Sequence, residues 1–128
     1  MIYVDTSVAL AQLLAEDRTP PAALWDESLV SSRLLQYELW NRIHARGLGR
    51  SHGDDVRQIL GRIALLELTS SVLVRALDPF PVPVRTLDAL HLASAEFLQQ
   101  QGQQVLIATY DARMIEGARR LGIPAYEI

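Results

Sequence analysis

The sequence contains no cysteine and no lysine. The first absence excludes a disulfide framework and any thiolate metal site. The second excludes chemistry that turns on an ammonium group, such as a P-loop, a Schiff base, or the lysine-dependent acidic site of receiver domains. All twelve basic residues are arginine, and the formal net charge is -3. That balance argues against gripping nucleic acid over the whole surface, but leaves room for a local basic patch. No G-x-G-x-x-G follows the first apolar run, which argues against a dinucleotide site. No apolar stretch approaches the ~20 residues that span a bilayer. The opening MIYVDTSVAL lacks a basic segment before its apolar one. Neither a membrane span nor a signal peptide is expected, and a cytoplasmic location is.

With 128 residues, 49% of them apolar, the chain has the size and core content of one domain covering 1–128. It contains no repeat or linker. The Gln-rich stretch 99–104 reads as a polar helix end and turn. Ile2 to Val4 is a β-branched and aromatic run that predicts a buried strand. Asp5-Thr6-Ser7 then offers helix-capping chemistry ahead of Val8, Leu10, Leu13 and Leu14. A short helix is expected after Pro20-Pro21, and a second strand over 29–32. Arg33 to Arg46 predicts a strong helix stopped by Gly47 and Gly49. A further helix is expected after Ser51 through Val56, Ile59, Leu60 and Ile63. A third strand follows over 64–68, then a helix capped by Ser70 or Ser71. Pro79, Pro81 and Pro83 stiffen a loop before a long helix from Thr86 to Gln101. Val105 to Ala108 is a buried strand, Asp111 to Leu121 a helix, and 125–128 a last strand. Strands alternating with helices imply an α/β fold, a parallel sheet covered on both faces.

Four acids occupy telling places. Ligands of open parallel sheets bind beyond the carboxyl ends of the strands. Asp5 directly follows the first strand and Asp111 the fourth, so both belong to one rim. Glu38 lies mid-helix, with Leu34, Leu35, Leu39 and Arg42 as helix-surface neighbours. Asp88 is in the first turn of its helix, beside the stripe of Leu87, Leu90, Ser94, Phe97 and Leu98. Each acid also has a plain structural reading. Asp5 and Asp111 suit helix caps, Asp88 suits a helix dipole, and Glu38 suits an i,i+4 pair with Arg42. Four carboxylates at one rim would repel each other, and a divalent cation is the usual remedy.

The segments MIYVDTSVAL, LLQYELWN, RTLDALHLASA and ATYDARM resemble, in order and spacing, the acidic motifs of PIN domains, with the VapC-type toxins of toxin–antitoxin pairs as the nearest likeness. The resemblance covers essentially the whole chain. It implies a three-layer sandwich with a central parallel sheet of about five strands, and Mg²⁺- or Mn²⁺-dependent endonucleolytic cleavage of RNA. The motif acids match Asp5, Glu38, Asp88 and Asp111, so these are the expected catalytic residues. Asp5 and Asp88 are the foremost expected metal ligands, with Glu38 and Asp111 acting through water. Thr6 or Ser7 matches the hydroxyl residue near the first acid, and Thr109 the one before the fourth; Thr6 and Thr109 are expected to orient carboxylates. The likeness further implies a cognate antitoxin partner and a homodimer. Removing the charge of Asp5 or Asp88 is expected to relieve repulsion in the metal-free protein.

Other residues are weighed against plainer roles. His91, one turn after Asp88, reads as a packed or supporting group more readily than as a ligand. His44 and His52 read as solvated. Arg33, Arg42, Arg46 and Arg50 suit either a solvated helix face or phosphate-backbone contact. Tyr37 and Trp40 lie on the side of their helix away from Glu38, as interface or core aromatics. A haloacid-dehalogenase-type phosphotransferase would need an acid where Ser7 stands. The remaining alternative is a catalytically silent PIN-like module that only binds RNA or protein.

Overall fold

The first apolar run of the chain becomes the middle of the sheet. Ile2–Val4 form β1, buried throughout and paired in parallel with β2 (Leu29–Ser32) on one side and β4 (Leu106–Ala108) on the other. β3 (Ile63–Leu66) adds to the far side of β2, so the order is β3-β2-β1-β4. The computed structural model describes residues 1–15 and 17–128. Among these residues six α-helices connect and cover the strands: α1 (Thr6–Leu14), α2 (Arg33–Ala45), α3 (Gly49–Gly61), α4 (Ser70–Ala76), α5 (Thr86–Gln100) and α6 (Ala112–Arg120). A short 3-10 turn spans Ala22–Asp26. No helix among the described residues is long and apolar enough to cross a membrane.

Strand alternation divides the core into two layers. Ile2 and Val4 point to one face, where Val8, Leu35, Leu39, Ile43 and Val56 bring in α1, α2 and α3. Tyr3 points to the other, among Leu92, Ile107 and Met114 of α5, β4 and α6. The result is a three-layer α/β sandwich with helices on both faces of a parallel sheet.

Four sequence expectations need correction. The sheet has four strands rather than about five. The end of the chain contributes only an isolated bridge between Ala125 and Ile107. Ile107 N–H donates to Pro124 O at 2.9 Å and Tyr126 N–H donates back to Ile107 O at 2.8 Å; Pro124 has no N–H with which to carry the ladder further toward Val105. Next, α3 begins at Gly49 itself. Gly47, at φ 68, suffices to end α2, and Leu48 already accepts from His52 N–H. Third, Ile63 leaves the helical spacing of Val56 and Ile59 to pair with Leu29 in β3, which closes at Leu66. Finally, the cap of α4 is Thr69, whose side chain accepts from Val72 N–H; Ser70 and Ser71 are already helical.

Candidate acidic cleft

From β1 the chain winds to one side through β2 and β3, then crosses back to lay β4 on the other side of β1. Strand order reverses between β1 and β4, and a crevice opens beyond their carboxyl ends. The cleft there has a volume of ≈ 1010 Å³. Asp5, Glu38, Asp88 and Asp111 all line it. The geometry therefore gathers four acids that lie between 23 and 106 positions apart in sequence.

Asp5 is buried and tightly held. It caps α1 by accepting from Ser7 N–H at 3.3 Å, and its second oxygen accepts from Ser7 Oγ at 3.1 Å and from Thr109 Oγ1. Ser7 Oγ in turn accepts from Tyr110 N–H at 3.1 Å. Thr109 Oγ1 accepts from Asp111 N–H at 3.0 Å. The ends of β1 and β4 are thus laced together by two hydroxyls. Asp111 caps α6, accepting from Arg113 N–H at 2.8 Å and Met114 N–H at 3.3 Å. Capping and cleft-lining coincide in both residues.

Glu38 does not pair with Arg42. Its Oε1 accepts from Thr6 Oγ1 at 2.8 Å and meets His91 Nε2 at 2.6 Å. His91 is fully buried, and its Nδ1 meets Tyr3 Oη at 2.8 Å. Burial works against a charge on this ring. The Tyr3 oxygen, the Glu38 hydrogen bond and the nearby Asp5 and Glu38 carboxylates outweigh that and hold the imidazole above its usual value.

Asp88 is different again. It is half-buried in the first turn of α5, and no hydrogen bond steadies its carboxylate among the described residues. Burial, then the charges of Asp5 and Asp111, push its carboxyl up from the usual range, against weaker pulls from His91 and Arg85. Asp88 therefore feels both strand-end acids.

These donors are all hard oxygens, the set that suits Mg²⁺ or Mn²⁺. No three acidic or histidine groups among the described residues form a ready-made ion cage. Mg²⁺ keeps several waters and usually takes one or two carboxylates plus substrate phosphates. The unpartnered, repelled carboxylate of Asp88 opposite Asp5 is the feature a cation would relieve.

The arginines divide. Arg42 and Arg46 line the cleft, joined by Arg18 and Arg85, which the sequence pattern did not single out. Arg33 instead pairs with Glu67, and Arg50 lies outside the cleft. The Arg18 guanidinium sits over the Tyr110 ring, 5.4 Å from its centroid. Trp40 is claimed by packing, stacked on His44 at 5.4 Å and covered by Arg57, whereas Tyr37 is exposed. His44 is exposed as expected, and His52 is partly covered. The sequence offered one sign of the Tyr3–His91 contact: strand alternation sends Tyr3 to the face that α5 covers.

The family model of the PIN domain matches residues 2–120. The chain belongs to the PIN domain family. Among individual proteins, it is similar to Ribonuclease VapC47 of Mycobacterium tuberculosis (strain CDC 1551 / Oshkosh), 32% identical over 129 residues, covering 95% of this chain and 93% of the relative. It is also similar to Ribonuclease VapC46 of Mycobacterium tuberculosis (strain ATCC 25618 / H37Rv), 31% identical over 126 residues, with 95% and 93% covered. Ribonuclease VapC35 of the same species is 28% identical over 129 residues, with 96% and 93% covered.

Proposed function

We propose that this protein is a divalent-metal-dependent endoribonuclease and the toxin of a type II toxin–antitoxin pair, acting in the cytoplasm. The observation that carries the reading is the meeting of Asp5, Glu38, Asp88 and Asp111 in one cleft at the strand-order reversal, with the Asp88 carboxyl raised by burial and then by its acidic neighbours. The ribonuclease relatives, similar over nearly their whole length, give it further support.

In this reading Asp5 and Asp88 hold a Mg²⁺ or Mn²⁺ ion, and Glu38 and Asp111 complete its surroundings through water. The ion supplies a lowered water pKa and a Lewis acid at a phosphodiester oxygen. Thr109 and Ser7 keep Asp5 turned into the cleft, and Thr6 does the same for Glu38. Arg42, Arg46 and Arg85 are placed to meet backbone phosphates, which positions RNA without reading its sequence. Hydrolysis by water then leaves a 5′-phosphate and a 3′-hydroxyl.

The partners proposed are RNA, a cognate antitoxin whose basic side chain enters the acidic cleft, and a second copy of the chain. The apolar side chains of α1 are spent on the core, because Leu13 is buried and Leu10 and Leu14 pack against it. The motive for a second copy is the exposed apolar set of Leu73 and Val74 on α4 and Leu77 at its C-cap.

The test is cleavage of structured RNA with Mg²⁺ or Mn²⁺, with chelator, and after metal is restored. Loss in chelator, recovery with metal and 5′-phosphate ends are expected. Full activity in chelator, or 2′,3′-cyclic phosphate products, rejects the mechanism. A monomer by light scattering at high micromolar concentration rejects the dimer.

A further inference from the structure

One buried ring ties the cleft to the sheet beneath it. His91 has no solvent exposure, and both of its nitrogens are engaged. Nδ1 meets Tyr3 Oη on β1 at 2.8 Å, and Nε2 meets Glu38 Oε1 on α2 at 2.6 Å. A carboxylate oxygen has no proton to give, so Nε2 carries the proton of its contact whatever the state of Nδ1. Thr6 Oγ1 donates to the same Oε1 at 2.8 Å. Two donors therefore converge on Oε1, whereas Oε2 takes no hydrogen bond among the described residues.

We propose that Tyr3 and His91 are positioning residues that hold Glu38 by its Oε1 and so reserve Oε2 for work in the cleft. The inference rests on the metal-dependent reading above and says how one of its carboxylates is aimed. His91 itself is no ligand in this arrangement, because neither nitrogen is free. Its task is to fix a flexible side chain whose three torsions would otherwise be loose at the edge of a cleft. The donors come from α1 and α5, and the ring is backed by the central strand. The orientation of Glu38 is therefore set by the sheet and not by a loop. Groups that orient a ligand from behind in this way commonly change metal affinity 10- to 100-fold when removed.

Four variants separate the possibilities. Tyr3→Phe removes one oxygen and keeps the ring. His91→Gln keeps an N–H donor near the position of Nε2, and His91→Leu keeps none. Glu38→Gln removes the charge being positioned. Each is measured for melting temperature, for Mn²⁺ affinity by calorimetry, for kcat and KM on RNA, and for the imidazole N–H proton resonances of the metal-free protein. Wild type is expected to show an exchange-protected, downfield Nε2–H resonance that moves in Tyr3→Phe and in Glu38→Gln. Mn²⁺ affinity and kcat are expected to fall about tenfold in Tyr3→Phe and further in His91→Leu, with KM for RNA unchanged. His91→Gln should recover part of the His91→Leu loss. Wild-type Mn²⁺ affinity and kcat in Tyr3→Phe overturn the inference, as does a His91→Gln as damaged as His91→Leu. Losses that only follow the melting temperature, with the resonance unmoved, also overturn it. If Glu38→Gln weakens Mn²⁺ binding and Tyr3→Phe does not, the positioning role alone fails. If Glu38→Gln leaves Mn²⁺ binding untouched, Glu38's part in the metal reading fails and the positioning role fails with it.

Discussion

The two sides of the cleft hold their carboxylates differently. On the side built by the ends of β1 and β4, Asp5 is buried and accepts from Ser7 N–H, Ser7 Oγ and Thr109 Oγ1. On the side built by the first turn of α5, Asp88 has no such donors among the described residues, and its carboxyl is pushed up by burial and by Asp5 and Asp111. One acid is satisfied by the protein. The other has no hydrogen-bond donor among the described residues. From the sequence the two looked equivalent, as charges whose removal would relieve repulsion. The structure separates them, because relief and hydrogen-bond loss have opposite signs at Asp5.

The largest effect is expected at Asp5. Asp5→Asn puts an N–H₂ where both oxygens now accept, so at least one of Ser7 and Thr109 faces a donor instead of an acceptor. Leaving a buried polar group unmatched costs about 1–3 kcal/mol. The variant should therefore melt below wild type in the absence of metal, and its RNA cleavage should fall at least about 100-fold, to judge from the cost of losing groups that act together in an active site. Near-wild-type cleavage would remove Asp5 from the site, and a raised melting temperature would show that repulsion outweighs the hydrogen bonds.

Asp88→Asn should lose most cleavage too, but move stability the other way. The folded-state carboxyl lies above its unfolded value. Its favourable contribution is fully present below the unfolded carboxylate value and is lost as pH rises through the folded one. Wild type thus carries a penalty at neutral pH that the Asn variant lacks. The metal-free variant should melt above wild type at pH 7, and the gap should close as pH falls through the acid range. Added Mg²⁺ should close it from the other direction, by raising wild type more than the variant. Melting curves at several pH values, with and without metal, measure both. A gap independent of pH, or a destabilised variant, would place Asp88 among ordinary helix-start acids.

The contrast also marks what sequence can carry. β1, α1 and the strand-end position of Asp5 follow from short-range chemistry: a β-branched run, a capping triplet, an apolar spacing. Parallel order follows from the helical crossovers that separate every pair of successive strands. Gly49 misleads because a glycine after a helix signals a stop, yet Gly47 alone makes the turn and the chain re-enters helix at once. Ile63 misleads because 56, 59 and 63 keep helical spacing, although Gly61 has already closed the helix and Leu29 supplies a strand partner. The bond between Tyr3 and His91 joins residues 88 positions apart. No local pattern encodes that pairing, and only the packing of α5 over β1 creates it. The four acids were legible as a set. Which of them is held and which is bare was not, since that depends on hydroxyls arriving from other strands.

The smallest expected effect concerns the basic rim that both carboxylate regions share. Arg42 on α2 and Arg46 at its C-cap line the cleft four positions apart, and both are exposed. Arg33, at the start of the same helix, is spent on Glu67 and raised above its usual value by that hydrogen bond. Exposed arginines contribute little to folding, so Arg42→Gln should leave the melting temperature nearly unchanged. Phosphate contact is electrostatic and exchanges bound counterions, so its loss should appear in binding and in salt dependence. Arg42→Gln is expected to raise KM for RNA severalfold, leave kcat in place, and flatten the slope of log affinity against log salt by about 0.7, the value for one single-strand phosphate contact. Arg33→Gln is the matched control, with the same charge change on the same helix but outside the cleft, and should alter neither KM nor slope. Equal effects from the two variants would mean that RNA senses only the overall charge of α2. An effect confined to Arg42 would place the backbone of the substrate across the cleft mouth, between the held carboxylate of Asp5 and the bare one of Asp88.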